Sequence, residues 1–166
     1  MTRLIVRCAV CTIMVLGLSV ALGEGGASGQ PSASSGYVYI NTTGEYYPGW
    51  YADNCLESEV TFPGYVNESN VYSHLSGAQC SGPNANMQVN WVGAAAYGYL
   101  NGSLCGTIGW FYNSVPSTGI GVGARLCSGT GSYNTIAWGE WWDDVNGTWE
   151  YSFPGEVNST WLYGQT

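Results

Sequence analysis

Four cysteines, Cys55, Cys80, Cys105 and Cys127, mark out two loops of similar size in this 166-residue chain, and nothing else in it restricts folding as strongly. Four cysteines allow three pairings, and in an oxidising compartment they form crosslinks. Local sequence favours Cys55–Cys80 and Cys105–Cys127. The turn-forming stretch 113–119 lies midway between the second pair, and Asn67-Glu68-Ser69-Asn70 midway between the first. A hairpin folded at each place sets its cysteines opposite one another. Each bridge would close a loop of about 22–26 residues, worth roughly 3 kcal/mol in chain entropy.

The N-terminus points to export. Arg3 and Arg7 precede an apolar run from Cys8 to Leu22, and Ala21 and Gly23 frame a cleavage point, which is a signal-peptide layout. The run has about 15 residues, short of the roughly 20 that a spanning helix needs. Residues 1–23 are therefore expected to be a signal peptide, which removes Cys8 and Cys11 from the disulfide set. Residues 24–36, almost entirely Gly, Ser and Ala, should form a flexible linker. Residues 37–166 then make one disulfide-stapled domain, long enough to bury a core, in a secreted, extracellular protein with no membrane insertion after cleavage.

Hydrophobic alternation indicates the fold class. Met87, Val89 and Trp91 alternate with Gln88 and Asn90; Ile120, Val122, Ala124 and Leu126 with glycines and Arg125; and Trp149, Tyr151 and Phe153 with Glu150 and Ser152. Val38 and Ile40 open the domain, and Trp161-Leu162-Tyr163 closes it. No segment of the domain carries a helical period. The expected fold is all-β, an antiparallel β-sandwich of roughly ten short strands, with a small pseudo-repeat barrel or trefoil-like fold as the alternative. The repeat idea rests on faint echoes, Cys80-Ser81-Gly82 with Cys127-Ser128-Gly129 and Asn101-Gly102-Ser103 with Asn146-Gly147-Thr148.

Charge narrows the partners. The chain holds 11 acidic residues against 3 basic ones, and past the signal Arg125 is the lone base. Nucleic acid is excluded, because its binding depends on Lys and Arg displacing counterions. Anionic membranes are disfavoured for the same reason. With one histidine, His74, the chain holds neither a Ser-His-Asp set with alternatives nor a zinc-type His/Cys cluster. No phosphate-binding glycine loop opens a helix. Five N-x-S/T triplets, at Asn41, Asn67, Asn101, Asn146 and Asn158, are glycosylation sites in a eukaryote and turn chemistry in most bacteria.

The segment around Asn146-Gly147 carries most of the polar chemistry. A two-residue turn there places Glu140 opposite Phe153, Trp142 opposite Tyr151 and Asp144 opposite Trp149, and on the other surface Trp141 opposite Ser152 and Asp143 opposite Glu150. Two facing carboxylates destabilise a sheet, so Asp143 and Glu150 must splay into water, share a proton or hold a cation such as Ca²⁺. Glu140 shares a face with Ile136, Trp138 and Trp142. It either pairs with Arg125 or meets a ligand on a partly open aromatic face. Trp141 and Trp142 point to opposite faces, so one is more exposed than the other.

Cys127-Ser128-Gly129, the following Ala137-Trp138-Gly139-Glu140-Trp141-Trp142 and the upstream Asn90-Trp91-Val92-Gly93-Ala94 resemble stretches of the eqolisin-type glutamic peptidases over some twenty residues. The resemblance implies a β-sandwich. It does not extend to activity, because the family's catalytic Gln-Thr-Gly strand has no match in Ile120-Gly121-Val122-Gly123.

The functional expectation is a secreted, non-catalytic module for a neutral extracellular ligand, most plausibly carbohydrate, bound by Glu140, Trp141, Trp142 and Tyr151, with Asp143 and Glu150 as the candidate Ca²⁺ site and no other cofactor. Its partner would be a glycan or a protein outside the cell. Two alternatives stay open: a small hydrolase (glycosidase or peptidase) using Glu140 with Glu150 or Asp143, and an envelope or matrix protein that self-associates through aromatic strands.

Overall fold

Two long strands organise the molecule, each edged on one side by shorter segments laid end to end. A computed structural model describes residues 32–46, 49–62, 64–152 and 157–164. The expected signal peptide and residues 24–31 of the expected linker lie outside the described residues. Along the chain the strands are β1 (Ser32–Ser34), β2 (Val38–Gly44), β3 (Tyr51–Thr61), β4 (Val66–Leu75), β5 (Val92–Leu100), β6 (Ser103–Tyr112), β7 (Gly119–Ala124), β8 (Gly131–Asp143), β9 (Thr148–Tyr151), β10 (Val157–Asn158) and β11 (Leu162–Gly164), with a short 3-10 turn at Gln79–Ser81.

In the first sheet, β1 and β2 run successively along one edge of β3, β4 pairs with its other edge, and β7 pairs with β4. In the second, β9, β10 and β11 run successively along one edge of β8; β5 takes its other edge and β6 pairs with β5. Every pairing is antiparallel. The two sheets form a sandwich and do not close into a barrel, so the barrel and trefoil alternatives fall away. Among the described residues no helix is long and apolar enough to cross a membrane.

Both expected disulfides form, Cys55–Cys80 and Cys105–Cys127, but neither spans a hairpin. Asn67–Asn70 sits inside β4, and the β3–β4 reversal comes earlier, with Tyr65 at φ 51° and Gly64 at φ 103°. Cys55 therefore faces Tyr72 in the ladder and bonds instead to the 3-10 turn beyond β4. Cys105 lies on β6 and Cys127 follows β7, strands that edge opposite sheets. That bridge clips the two layers together along one side.

Ser32–Ser34, assigned to the linker by composition, pairs with Glu59–Thr61. Ala33 is buried there, the Ser34 hydroxyl donates to Glu57 at 2.7 Å, and the Ser58 amide donates to the Ser35 hydroxyl. Small residues fit a strand whose backbone does the bonding, so a Ser/Ala stretch is not by itself a spacer.

Stretch 87–91, expected as a strand from its alternation, is instead a loop making only an isolated bridge from Met87 to Ser117. Asn113 is the reason. Its buried side chain accepts from the amides of Trp91 and Val92, both at 3.0 Å, and donates to the carbonyls of Gln88 at 2.7 Å and Val115 at 2.9 Å. One side chain thus replaces a ladder, and Met87 is buried as a plug at the end of the core. Asn113→Ala should cost about 1–2 kcal/mol, because several buried backbone groups lose their partner. Urea unfolding measures it, and a loss within error would remove Asn113 from this role.

Between the sheets, Leu56, Val71, Val92, Ala94, Ala137 and Trp141 form the main cluster, and Val60, Tyr65, Cys127 and Tyr133 a second. A polar seam crosses the same space. The Ser58 hydroxyl donates to Thr135 O at 2.7 Å, the Asn67 amide to Thr135 Oγ1 at 2.8 Å, and the Ser69 hydroxyl to Trp138 O at 3.2 Å. These bonds satisfy buried groups that would otherwise each cost free energy, and they let Asn and Ser stand where a richer chain would place Leu. Asn67 is fully buried, so its triplet carries no glycan in the folded protein.

Candidate functional site

Strand β8 presents two faces. Trp141, Gly139 and Ala137 turn inward, and Trp141 is 0% exposed. Its neighbours Trp138, Glu140 and Trp142 turn outward by the two-residue period of a strand. The other strands of the sheet extend this outer face. Glu140 pairs with Gly93 of β5 on one side and Tyr151 of β9 on the other, while Gly93 pairs with Tyr112 of β6. One row across four strands therefore reads Tyr112, Gly93, Glu140, Tyr151.

The β8–β9 turn differs from the expected one. Four residues, 144–147, make the reversal, so Asp143 pairs with Thr148, Trp142 with Trp149 and Glu140 with Tyr151. The Asp143 carboxylate causes the shift by accepting from the Asn146 backbone amide at 3.0 Å and its side-chain amide at 2.9 Å, a local bond that competes with a tight hairpin. Glu150 pairs with Trp141, so Asp143 and Glu150 do not face each other. The repulsion that suggested a Ca²⁺ site between them does not arise. Nor do Asp143 and Glu150 share the outer face with Glu140. A displacement by two residues keeps every side chain on its side of the sheet, so Glu140, Trp142 and Tyr151 do come together.

Aromatic rings fill the outer face. Tyr112 meets Trp149 edge-on at 5.7 Å between centroids, and Trp149 meets Trp142 at the same distance. Tyr97 lies against Trp138 at 5.5 Å. Such tilted contacts suit the ring quadrupole and hold the rings in place. The Trp142 indole N–H donates to Asp144 at 3.2 Å. Exposure rises toward the edges of the face, to 40% at Tyr112 and 51% at Tyr151. Trp141 lies beneath as core and supports the face without reaching it.

Glu140 sits sunken among these rings at 3% exposure, and its Oε1 is buried with no hydrogen-bond partner. Burial pushes its carboxyl above the usual carboxylate range, partly offset by a hydrogen bond from Tyr112. Burial and that same bond push the Tyr112 phenol up to about 12. Arg125, the expected partner of Glu140, instead directs its Nε to the Cys127 carbonyl at 3.4 Å. Gly93 makes the Glu140–Tyr112 encounter possible, since a Cβ there would stand 2.9 Å from both Glu140 Cγ and Tyr112 Cε1. Tyr112 and Gly93 escaped the sequence reading because they come from β6 and β5, remote from the β8–β9 hairpin; the alternation of Trp110 and Tyr112 toward one face was the available signal. Trp149, expected opposite Asp144, stands opposite Trp142 on the same face.

The fold and face together define an antiparallel β-sandwich with an outer sheet surface built of aromatic rings around one buried acid. Comparison with known protein families, with curated proteins and with solved structures found no match.

Proposed function

We propose that this protein is a secreted, non-catalytic module that binds neutral carbohydrate on the outer aromatic face of the second sheet. The observation that carries this reading is the contiguous set Tyr112, Trp149, Trp142 and Tyr151 around Glu140, on a face that holds no basic residue among the described ones. Aromatic rings offer apolar planes to the C–H faces of sugars, while the phenols and the Glu140 carboxyl are hydrogen-bond partners for hydroxyls. The rings are pre-positioned by mutual contact, which lowers the ordering cost of binding. Two disulfides suit the oxidising space outside the cell.

Affinity electrophoresis in gels of neutral polysaccharides tests this. Retardation by at least one is expected, and the pair Tyr112→Ala with Tyr151→Ala should weaken it at least about tenfold, equivalent to about 1.4 kcal/mol. Release of reducing ends from the same polysaccharides would favour the hydrolase instead. Concentration-dependent self-assembly lost in the double variant would favour the self-associating alternative.

A further inference from the structure

A cavity of about 370 Å³ opens at the end of the sandwich where β3 begins and β4 ends, lined by Trp50, Leu75, Asn84, Asn86, Gln88 and Pro116, with Ala85. It shares no lining residue with the aromatic face. Its walls are pinned. Ala85 N–H donates to Ser73 O at 2.9 Å and Leu75 N–H to Pro83 O at 2.7 Å. Met87 and Ser117 exchange backbone hydrogen bonds at 2.9 and 3.1 Å, and Asn113 ties Gln88 to Val115. A site built this way exists before its ligand arrives.

Behind this cavity lies Glu45, 1% exposed, with both carboxyl oxygens buried and neither closing a full hydrogen bond. Glu45 touches two of the lining residues. Its backbone N–H donates to Trp50 O at 2.8 Å, and its carboxyl faces the Gln88 backbone amide. Asp144 lies close enough to Glu45 to act on its carboxyl, and His74 bridges Asn84 through the backbone, so no cluster of basic side chains among the described residues is there to hold an anion. Three carboxamides, which both donate and accept, and one indole surround the space. That set matches hydroxyl groups and a C–H face. The volume, at the small end of the roughly 300–1,000 Å³ of ligand pockets, has room for one ring.

We propose that this cavity is a second binding site, for a single uncharged, polyhydroxylated ring of monosaccharide size, with Trp50 as the stacking plane and Asn84, Asn86 and Gln88 as hydroxyl partners. The site stands independently of the aromatic face.

The test is a titration of isotope-labelled protein with methyl glucoside, methyl galactoside and methyl mannoside, following the side-chain amide signals of Asn84, Asn86 and Gln88 by NMR. At least one glycoside should shift them saturably, with a dissociation constant on the order of millimolar. Trp50→Ala should abolish the shifts, and the exposed Asn84→Ala with Asn86→Ala should weaken binding about tenfold or more, whereas Tyr112→Ala with Tyr151→Ala should leave it unchanged. Should Trp50→Ala not fold, the Asn84/Asn86 variant decides. Shifts absent with all three glycosides, or unaffected by these cavity variants, would overturn the proposal. So would saturation by tetramethylammonium in place of the glycosides, which would make the site one for cations.

Discussion

Trp141→Ala is expected to destabilise the protein by about 3–5 kcal/mol, a large part of the roughly 5–15 kcal/mol that holds a domain folded. Trp141 is the largest fully buried side chain described, and it sits in the cluster with Leu56, Val71, Val92 and Ala137. Its ladder partner on β5 is Val92, and beyond it the inward residues are small: Ala94 and Ala96 on β5, and Gly139 against the indole, where a Cβ would stand 2.6 Å from it. Residues this small cannot close over the void, so the full cavity cost applies. Thermal unfolding followed by circular dichroism should move down by about 10–20 °C. Trp141→Phe should lose clearly less, because the indole N–H has no partner and removing it relieves a buried unsatisfied donor. A Trp141→Ala protein melting within a few degrees of the parent would mean that the core lies elsewhere.

The second large effect is on pH. Burial, with Asp144 nearby, raises the Glu45 carboxyl to about 7, against which the Gln88 amide lowers it only in part. Burial raises Glu140 and Glu59 as well. In each case the folded state binds the proton more tightly than the unfolded chain. Stability from these groups is fully present below the ordinary carboxylate range and is lost as pH rises through the folded values. Between about pH 4.5 and 7 the protein should therefore lose stability as pH increases, by about 2–3 kcal/mol from Glu45. Asp53 sets the opposite limit. Burial pushes it up, but hydrogen bonds from Thr42, Gly77 and Gln79 at 2.8–2.9 Å prevail and hold it below its usual value. Its contribution is present above the unfolded value and is lost in stronger acid. Urea unfolding across the pH range should show a maximum near pH 4–5, and Glu45→Gln should flatten the slope toward neutrality. Stability that climbs from pH 5 to 8 would contradict the assignment of Glu45 as buried and unpaired.

Two Asn-Gly pairs illustrate what local sequence can and cannot decide. Asn101-Gly102 forms the tight two-residue turn that the dipeptide favours, with φ of 52° and 79° and Leu100 paired to Ser103. Asn146-Gly147 does not, because Asp143 captures the Asn146 amide and lengthens the turn. The same dipeptide thus takes two geometries according to a side chain three residues away. The longer turn moves the β8–β9 pairing by two residues from the tight-turn register and leaves the faces unchanged, so Glu140, Trp142 and Tyr151 share a face although their ladder partners differ. The disulfides carry a related lesson. Their pairing was right although the hairpins invoked for it are absent, because Cys105 and Cys127 meet across layers that no local pattern relates.

Alternation, turn residues and cysteine number determined by themselves that this chain forms short extended strands stapled by paired cysteines, since those signals act between residues a few positions apart. That the strands form two layers clipped by Cys105–Cys127, which ring is core and which is surface, that Gly93 admits Glu140 against Tyr112, and that Asn113 pins Gln88 at the wall of a cavity at the sandwich end were decided only by tertiary packing. Those relations join strands distant in sequence, and their energies arise from burial and contact that exist only once the layers have closed.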